Sequence, residues 1–410
     1  MSSDIDMIIS HIISCGHTII DRNVMVVISY VISQLFRRAP TSYTCCPNMD
    51  LLYFCTLLVV IAAWFVWRLH RERRKPSVVP YKVVKPPTAV STKHGHDRKK
   101  VCAVLGGTGF IGSCIIDELL RRGEYQVYML GRKFLPERAN PKVDAVIQVD
   151  MQDYDGMVKA LKGVDSVINA AAAIPNVFST AEDMWRINKD GQLCVLKAAQ
   201  KAGVKGYILV GNMYPKHPPG DPLAKAWLDS KAAGEKLVIE MDKQGGLRTC
   251  VIPVAALVLG RKSPFVESIL SGKITSFPMA EYPVCVHPVE YLAKGVVSAE
   301  QKLAANNENV MGKVLPISGE KTTLRIVFFS PAWKRKLSPM PLWVFRVMSR
   351  VNYLLALLTG WAPLGPKLCP AIASCVFDCP PAMVEWDFVQ QLLEIGPPPP
   401  IEDYISTMSL

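Results

Sequence analysis

From Val101 the chain alternates short, unbroken apolar runs with longer stretches in which apolar residues recur every three to four positions. Runs at 101–105, 126–130, 145–149, 166–170, 207–210 and 249–254 predict buried strands. The stretches at 111–122, 154–161, 181–201 and 224–241 predict helices. Strands and helices in turn define an α/β class: a doubly wound parallel sheet covered on both faces. Beyond Ser330 the alternation fails. Residues 341–361, PLWVFRVMSRVNYLLALLTGW, are strongly apolar, yet Arg346 and Arg350 sit four apart on one helical face. That pattern suits a helix on a membrane surface or over an apolar substrate mouth better than a second span, with a helix packed on the smaller domain as the alternative. Residues 395–410, IGPPPPIEDYISTMSL, read as an exposed tail.

The N-terminal part follows another pattern. Residues 51–67, LLYFCTLLVVIAAWFVW, are uncharged and at the short end of what crosses a bilayer as a helix. Trp64 and Trp67 mark one end, where indole rings favour the headgroup level, and arginines follow at once. Positive charge resists translocation, so a single-pass anchor with a cytosolic body is expected. Residues 24–36 are apolar but too short for a second span, and 1–50 keep no assigned role. Residues 68–100 have no apolar period and read as a basic, proline-rich, extended tether.

Composition changes one point. With 50% hydrophobic and 20% charged residues, disorder is excluded, but a net charge of +12 raises nucleic acid as a partner. Eleven cations lie between Arg68 and Lys100 against only Glu72 and Asp97. The excess is the tether's, and nucleic acid drops out. The twelve cysteines contain no CxxC pair; Cys369, Cys375 and Cys379 lack a fourth ligand nearby, and His94 with His96 is too few, so no metal site is expected. In a cytosolic body the thiols are expected free. Cys45 and Cys46, flanking the membrane segment, are candidates for acyl chains.

The first strand runs into GGTGFIG, 106–112, and then a helix. Gly106 permits a tight turn, Gly109 lets backbone approach a pyrophosphate, and Gly112 lets helix pack on strand. The helix N-terminus then faces the phosphates. A glycine triplet in this strand–turn–helix setting points to a Rossmann-type dinucleotide fold.

Here the residues resemble a family. GGTGFIG, VDMQD (149–153), VINAAAAIP (167–175), INKDG (187–191), WLDSKAAGEKLV (227–238), IPVAALVLG (252–260) and VCVHPVEYLAKGVVSAEQKL (284–303) stand in the order of the extended short-chain dehydrogenase/reductases. They are most similar to the 3β-hydroxysteroid dehydrogenase/isomerase group of the NAD-dependent epimerase/dehydratase superfamily. The resemblance covers roughly residues 100–330 and implies a Rossmann domain at 101–260 and a smaller substrate-binding part at 261–330; the apolar pattern makes 331–410 a membrane-associated segment with tail. It further implies that Gly106, Thr108, Gly109, Phe110, Ile111 and Gly112 line the cofactor's pyrophosphate. Asp150 would meet the adenine amine with Met151 beside it, while Asn169, Ala170 and Ala171 pass under the nicotinamide half, with Pro253 also in the cofactor set. An acidic residue usually ends the second strand and binds the ribose 2′-hydroxyl of NAD. Gly131, Arg132 and Lys133 stand there instead, which favours the 2′-phosphate of NADP over NAD.

The catalytic pattern is broken. Lys231 and Asn188 match the family's ribose-binding lysine and water-relay asparagine, but Trp227 occupies the tyrosine position and Asn212 or Gly211 the serine position. An indole N–H donates a hydrogen bond but cannot exchange its proton at accessible pH. Asn212 can still donate to a carbonyl oxygen. Tyr214 is the nearby phenol, but Pro218, not lysine, lies four residues on. Two readings follow: a membrane-anchored NADP-dependent oxidoreductase acting on a sterol or lipid-like alcohol or ketone at the endoplasmic reticulum, or a catalytically impaired NADP(H) sensor or scaffold. A sugar-nucleotide epimerase shares the fold but lacks the same tyrosine. Self-association into a homo-oligomer stays open.

Overall fold

The anticipated alternation is built from Lys82–Lys85 (β1), Lys100–Leu105 (β2), Phe110–Arg122 (α1), Tyr125–Gly131 (β3), Ala145–Gln148 (β4), Tyr154–Ala160 (α2), Ser166–Asn169 (β5), Ala181–Trp185 (α3), Gln192–Ala202 (α4), Gly206–Asn212 (β6), Pro222–Glu240 (α5) and Arg248–Val254 (β7). The computed structural model describes residues 78–87, 99–132, 140–215, 217–254, 257–317, 319–377 and 387–409. The 1–50 region, the expected membrane helix at 51–67, Cys45, Cys46, His94, His96, Lys133 and Cys379 lie outside the described residues.

The main sheet runs β1-β4-β3-β2-β5-β6-β7-β11, where β11 is Lys313–Val314. From β4 to β11 every pairing is parallel. The order reverses between β2 and β5, in register Leu105 opposite Asn169, which opens a crevice at the carboxyl ends of these strands. Unbroken apolar strands imply cover on both faces, and both are covered. Ile115, Ile116 and Leu119 of α1 share one core with Val296 and Val297. Met157, Leu161, Val195 and Leu196, from α2 to α4, form the other. Each fully buried aliphatic side chain contributes about 2 kcal/mol from water exclusion.

Two segments depart from the sequence reading. Within 68–100, residues 82–85 are an edge strand, antiparallel to β4 with Lys82 opposite Gln148, rather than free tether. Lys82, Val83 and Val84 are exposed, so backbone pairing rather than apolar burial holds this strand, and no hydrophobic period announced it. Second, the helix expected over 181–201 is broken by a π-helical turn at Arg186–Gly191.

The remainder comprises Leu257–Leu259 (β8), Pro264–Leu270 (α6), Ser276–Pro278 (β9), Pro283–Pro288 (β10), Val289–Ala304 (α7), β11, Glu320–Thr323 (β12), Leu324–Phe329 (α8), Ser338–Met340 (β13), Leu342–Thr359 (α9), Pro370–Phe377 (α10), Asp387–Leu393 (α11) and Ile401–Ser409 (α12). Helix α7 packs on α1 and β11 joins β7, so the chain returns to the main sheet after β10. Strands β12-β10-β8 form a second sheet over an aromatic core in which the Phe277 and Phe328 rings lie 4.2 Å apart. The expected tail is not exposed. Ile401, Ile405 and Met408 recur on one face of α12 and are buried in this core with Leu259 and Val286.

The cysteines among the described residues are all free thiols.

Candidate functional site

The glycine turn lies at the crevice. Gly106 has φ of +81°, and a Cβ there would meet the Ala171 amide nitrogen at 2.9 Å. Glycine is therefore required twice over, by backbone conformation and by contact with the loop after β5. A Cβ at Gly112 would lie 2.2 Å from the Gly106 carbonyl oxygen, so α1 packs directly on the turn. Gly109 caps α1 without a side-chain hydrogen bond, and no acidic residue occupies the first turn. The first amides of the helix remain available for an anion, and the helix dipole favours one. Thr108, Gly109 and Phe110 also border a cleft of about 470 Å³ that includes Met129, Lys142 and Lys262.

Of the other expected cofactor residues, Asn169, Ala170 and Ala171 lie against this turn, whereas Asp150 and Met151 follow β4, Arg132 follows β3 and Pro253 lies in β7, three strands from β2. Asn169 is fully buried and points inward. Its Nδ2 donates to Gln192 Oε1 at 2.8 Å and to the Tyr207 hydroxyl at 2.9 Å, while its Oδ1 accepts from the Ala171 amide at 3.0 Å. Asn169 thus fixes the loop bearing Ala170 and Ala171. Asp150 is buried, its carboxylate accepting from the Gln152 and Val79 amides, with Met151 buried alongside. Arg132 is exposed at the carboxyl end of β3. Pro253 is buried in β7 opposite Gly211.

The residues at the catalytic positions come together on α5, β6 and the π-helical turn. Asn188, on that turn, accepts from the Ala173 amide at 2.8 Å and donates to Ser230 Oγ at 3.2 Å. A Cβ at Gly234 would meet the Asn188 carbonyl oxygen at 2.2 Å, so α5 lies tight against the turn. π-turns of this kind are frequent at functional sites. Lys231 is buried, with its ammonium 3.3 Å from the Val210 carbonyl oxygen. Burial pushes its pKa below the usual lysine range, and the charge of Glu235 opposes that shift. The Nε1 of Trp227 is buried and has no hydrogen-bond partner. Asn212 Nδ2 donates to the Met213 carbonyl.

Glu235 was missed from the sequence. It lies one turn beyond Lys231, is buried, and accepts from the Asn212 amide at 2.8 Å and the Tyr214 hydroxyl at 2.6 Å. Burial raises its carboxyl pKa, opposed by Lys231 and by both donors. Burial first, then the Glu235 charge, raises the Tyr214 pKa. Gly211 makes the room, since a Cβ there would come within 2.8 Å of Glu235 Oε1. The four-residue spacing from Lys231 was the available signal. Tyr214 is therefore tied to Glu235, not poised alone.

Fold and glycine turn together define a Rossmann-like α/β protein. Residues 102–294 match the NAD dependent epimerase/dehydratase family. Sterol-4-alpha-carboxylate 3-dehydrogenase, decarboxylating, of Mus musculus is 32% identical over 116 residues, covering 28% of this chain and 30% of that protein. A 3-beta-hydroxysteroid dehydrogenase of Mycolicibacterium neoaurum is 25% identical over 193 residues, covering 42% and 52% respectively. The chain thus spans about a third to a half of these relatives' lengths. Among solved structures, UDP-glucuronic acid 4-epimerase from Bacillus cereus superposes with a TM-score of 0.54 at 16% identity, covering 75% of this chain and 98% of that one. That likeness establishes the fold alone.

Proposed function

We propose that the protein is a membrane-anchored, NADP(H)-binding oxidoreductase of the 3-beta-hydroxysteroid dehydrogenase type, acting on the hydroxyl or keto group of a sterol or similar lipid. In this reading the anchor at 51–67 holds the body on the cytosolic face of the endoplasmic reticulum. The uncapped start of α1 at the crevice carries the reading, because Gly109 supplies no side-chain cap and no acidic residue stands in the first turn, which fits a pyrophosphate. Bound there, a nicotinamide would supply or accept hydride. The α1 amides hold the pyrophosphate, Arg132 and Lys133 meet a 2′-phosphate, and Lys231 holds the ribose. Trp227, whose Nε1–H is buried without a partner, does not transfer a proton. Residues 261–330 and the helices after them form the substrate side.

Trp227 also favours a second reading, an NADP(H) sensor or scaffold that binds cofactor without turnover. The test is NADPH binding and NADPH oxidation by the full chain with a panel of sterol ketones, wild type against Trp227→Tyr. Turnover by wild type supports the enzyme. Binding without wild-type turnover, with activity gained in the tyrosine variant, supports the sensor.

A further inference from the structure

Helix α9 is amphipathic in the wrong direction for a helix of a water-soluble fold. Part of its polar side faces the protein, while Arg346, Arg350 and Thr359 are exposed. Ser349 and Asn352 are buried, and Asn352 donates to the Gly365 and Leu368 carbonyls at 2.9 and 2.8 Å and accepts from the Leu364 amide at 3.0 Å. Its apolar residues face out: Val347, Val351, Leu354 and Leu358 are exposed along one stripe, with Trp343 and Trp361 each 68% exposed at its ends. The 18 residues of α9 rise about 27 Å between them. Continuous exposed apolar surface of this kind marks an interaction site.

The surrounding charge identifies the occupant. Residues 326–377 contain Lys334, Arg335, Lys336, Arg346, Arg350 and Lys367 and no aspartate or glutamate. Arg346 and Arg350 fall at the border between the outward and inward faces, where long basic side chains reach headgroups while their stems stay in apolar surroundings. An apolar stripe, terminal tryptophans and a net cationic collar, with Asp221 lining the cleft that Arg346 and Arg350 also line, together fit an anionic lipid surface. A second copy of the chain would set one cationic collar against another.

We propose that α9 docks flat in the headgroup region of an anionic bilayer, its outward stripe immersed to the depth of the upper acyl chains. It is long and apolar enough to span, but spanning would carry the three hydrogen bonds of Asn352 into hydrocarbon and strip the loop they hold. The docked helix also bears on the site. The Val177 amide, beyond the Ala170–Ala171 loop, donates to the Pro366 carbonyl at 2.8 Å, and Ala224, one turn before Trp227, packs with Ala356. Docking therefore brings the mouth of the crevice to the lipid surface, where a sterol would enter without crossing water. This last consequence rests on the proposed substrate; the docking does not.

The test uses the full chain in nanodiscs of phosphatidylcholine with or without phosphatidylserine, containing lipids brominated near the headgroup or at mid-chain. Tryptophan quenching of wild type is compared with Trp343→Phe/Trp361→Phe, both exposed positions, with unchanged thermal melting as the fold control. We expect a quenched component that disappears in the double variant and grows with phosphatidylserine. Lys334→Glu/Arg335→Glu/Lys336→Glu should abolish the growth. A tryptophan placed by Leu354→Trp in the double-variant background should be quenched more by shallow than by deep bromines. Equal quenching with and without Trp343 and Trp361 overturns the docking, as does stronger deep quenching at position 354. A dimer that shields both rings from bromine overturns it in favour of a second copy. None of these readouts depends on turnover.

Discussion

The hydroxyl of Tyr214 donates a 2.6 Å hydrogen bond to Glu235, tying the end of β6 to α5 one turn beyond Lys231. The same carboxylate oxygen accepts the Asn212 amide, so one buried acid fixes the end of β6, where the resemblance puts the serine position.

Burial raises the Glu235 carboxyl in the folded chain above its unfolded value, so the folded state retains the proton to higher pH. Stability from this group is fully present below the unfolded pKa and is lost as pH rises through the folded one. Chemical denaturation across pH should show stability falling above the ordinary carboxylate range in wild type and a flatter profile in Glu235→Gln. Tyr214→Phe should cost about 1–3 kcal/mol by leaving the acid short of a donor.

Gly106→Ala should fold less stably and bind cofactor poorly. An alanine at φ of +81° costs about 1–2 kcal/mol, and its Cβ would press on the Ala171 amide. Isothermal titration with NADPH should show affinity falling by about tenfold or more, the equivalent of about 1.4 kcal/mol.

Arg132→Ala should separate the two nicotinamide cofactors. Losing a charge-assisted contact to a 2′-phosphate should weaken NADPH by roughly 10- to 100-fold while leaving NADH unchanged. Equal losses for both, measured by fluorescence titration, would assign Arg132 to the bulk charge of the surface.

Ile405→Ala should destabilise the second lobe by about 2–5 kcal/mol, since the side chain is fully buried in α12. Urea melts of the full chain check this. A change below about 0.5 kcal/mol is what a surface position would give.

The elements of the main sheet were legible from Val101 to Val254 because strands buried on both faces must be continuously apolar and their helices must repeat at 3.6 residues. The glycine turn was legible too, since only glycine satisfies its backbone and its contacts. β1 was not, because Lys82–Lys85 is held by edge pairing to β4 and buries little. The docked α12 left a readable trace in the spacing of Ile401, Ile405 and Met408, but the proline run before it mimics a tail.

The sequence by itself determined the alternating sheet, the glycine turn and the order of motifs that carries the family resemblance, all of which are local patterns of residue type. Tertiary structure alone decided that Asn169 supports the loop from beneath, that Glu235 closes on Tyr214, and that α9 buries Ser349 and Asn352. Each of these depends on which partner a side chain meets across the fold, and hydrogen-bond satisfaction among distant segments leaves no period in the chain.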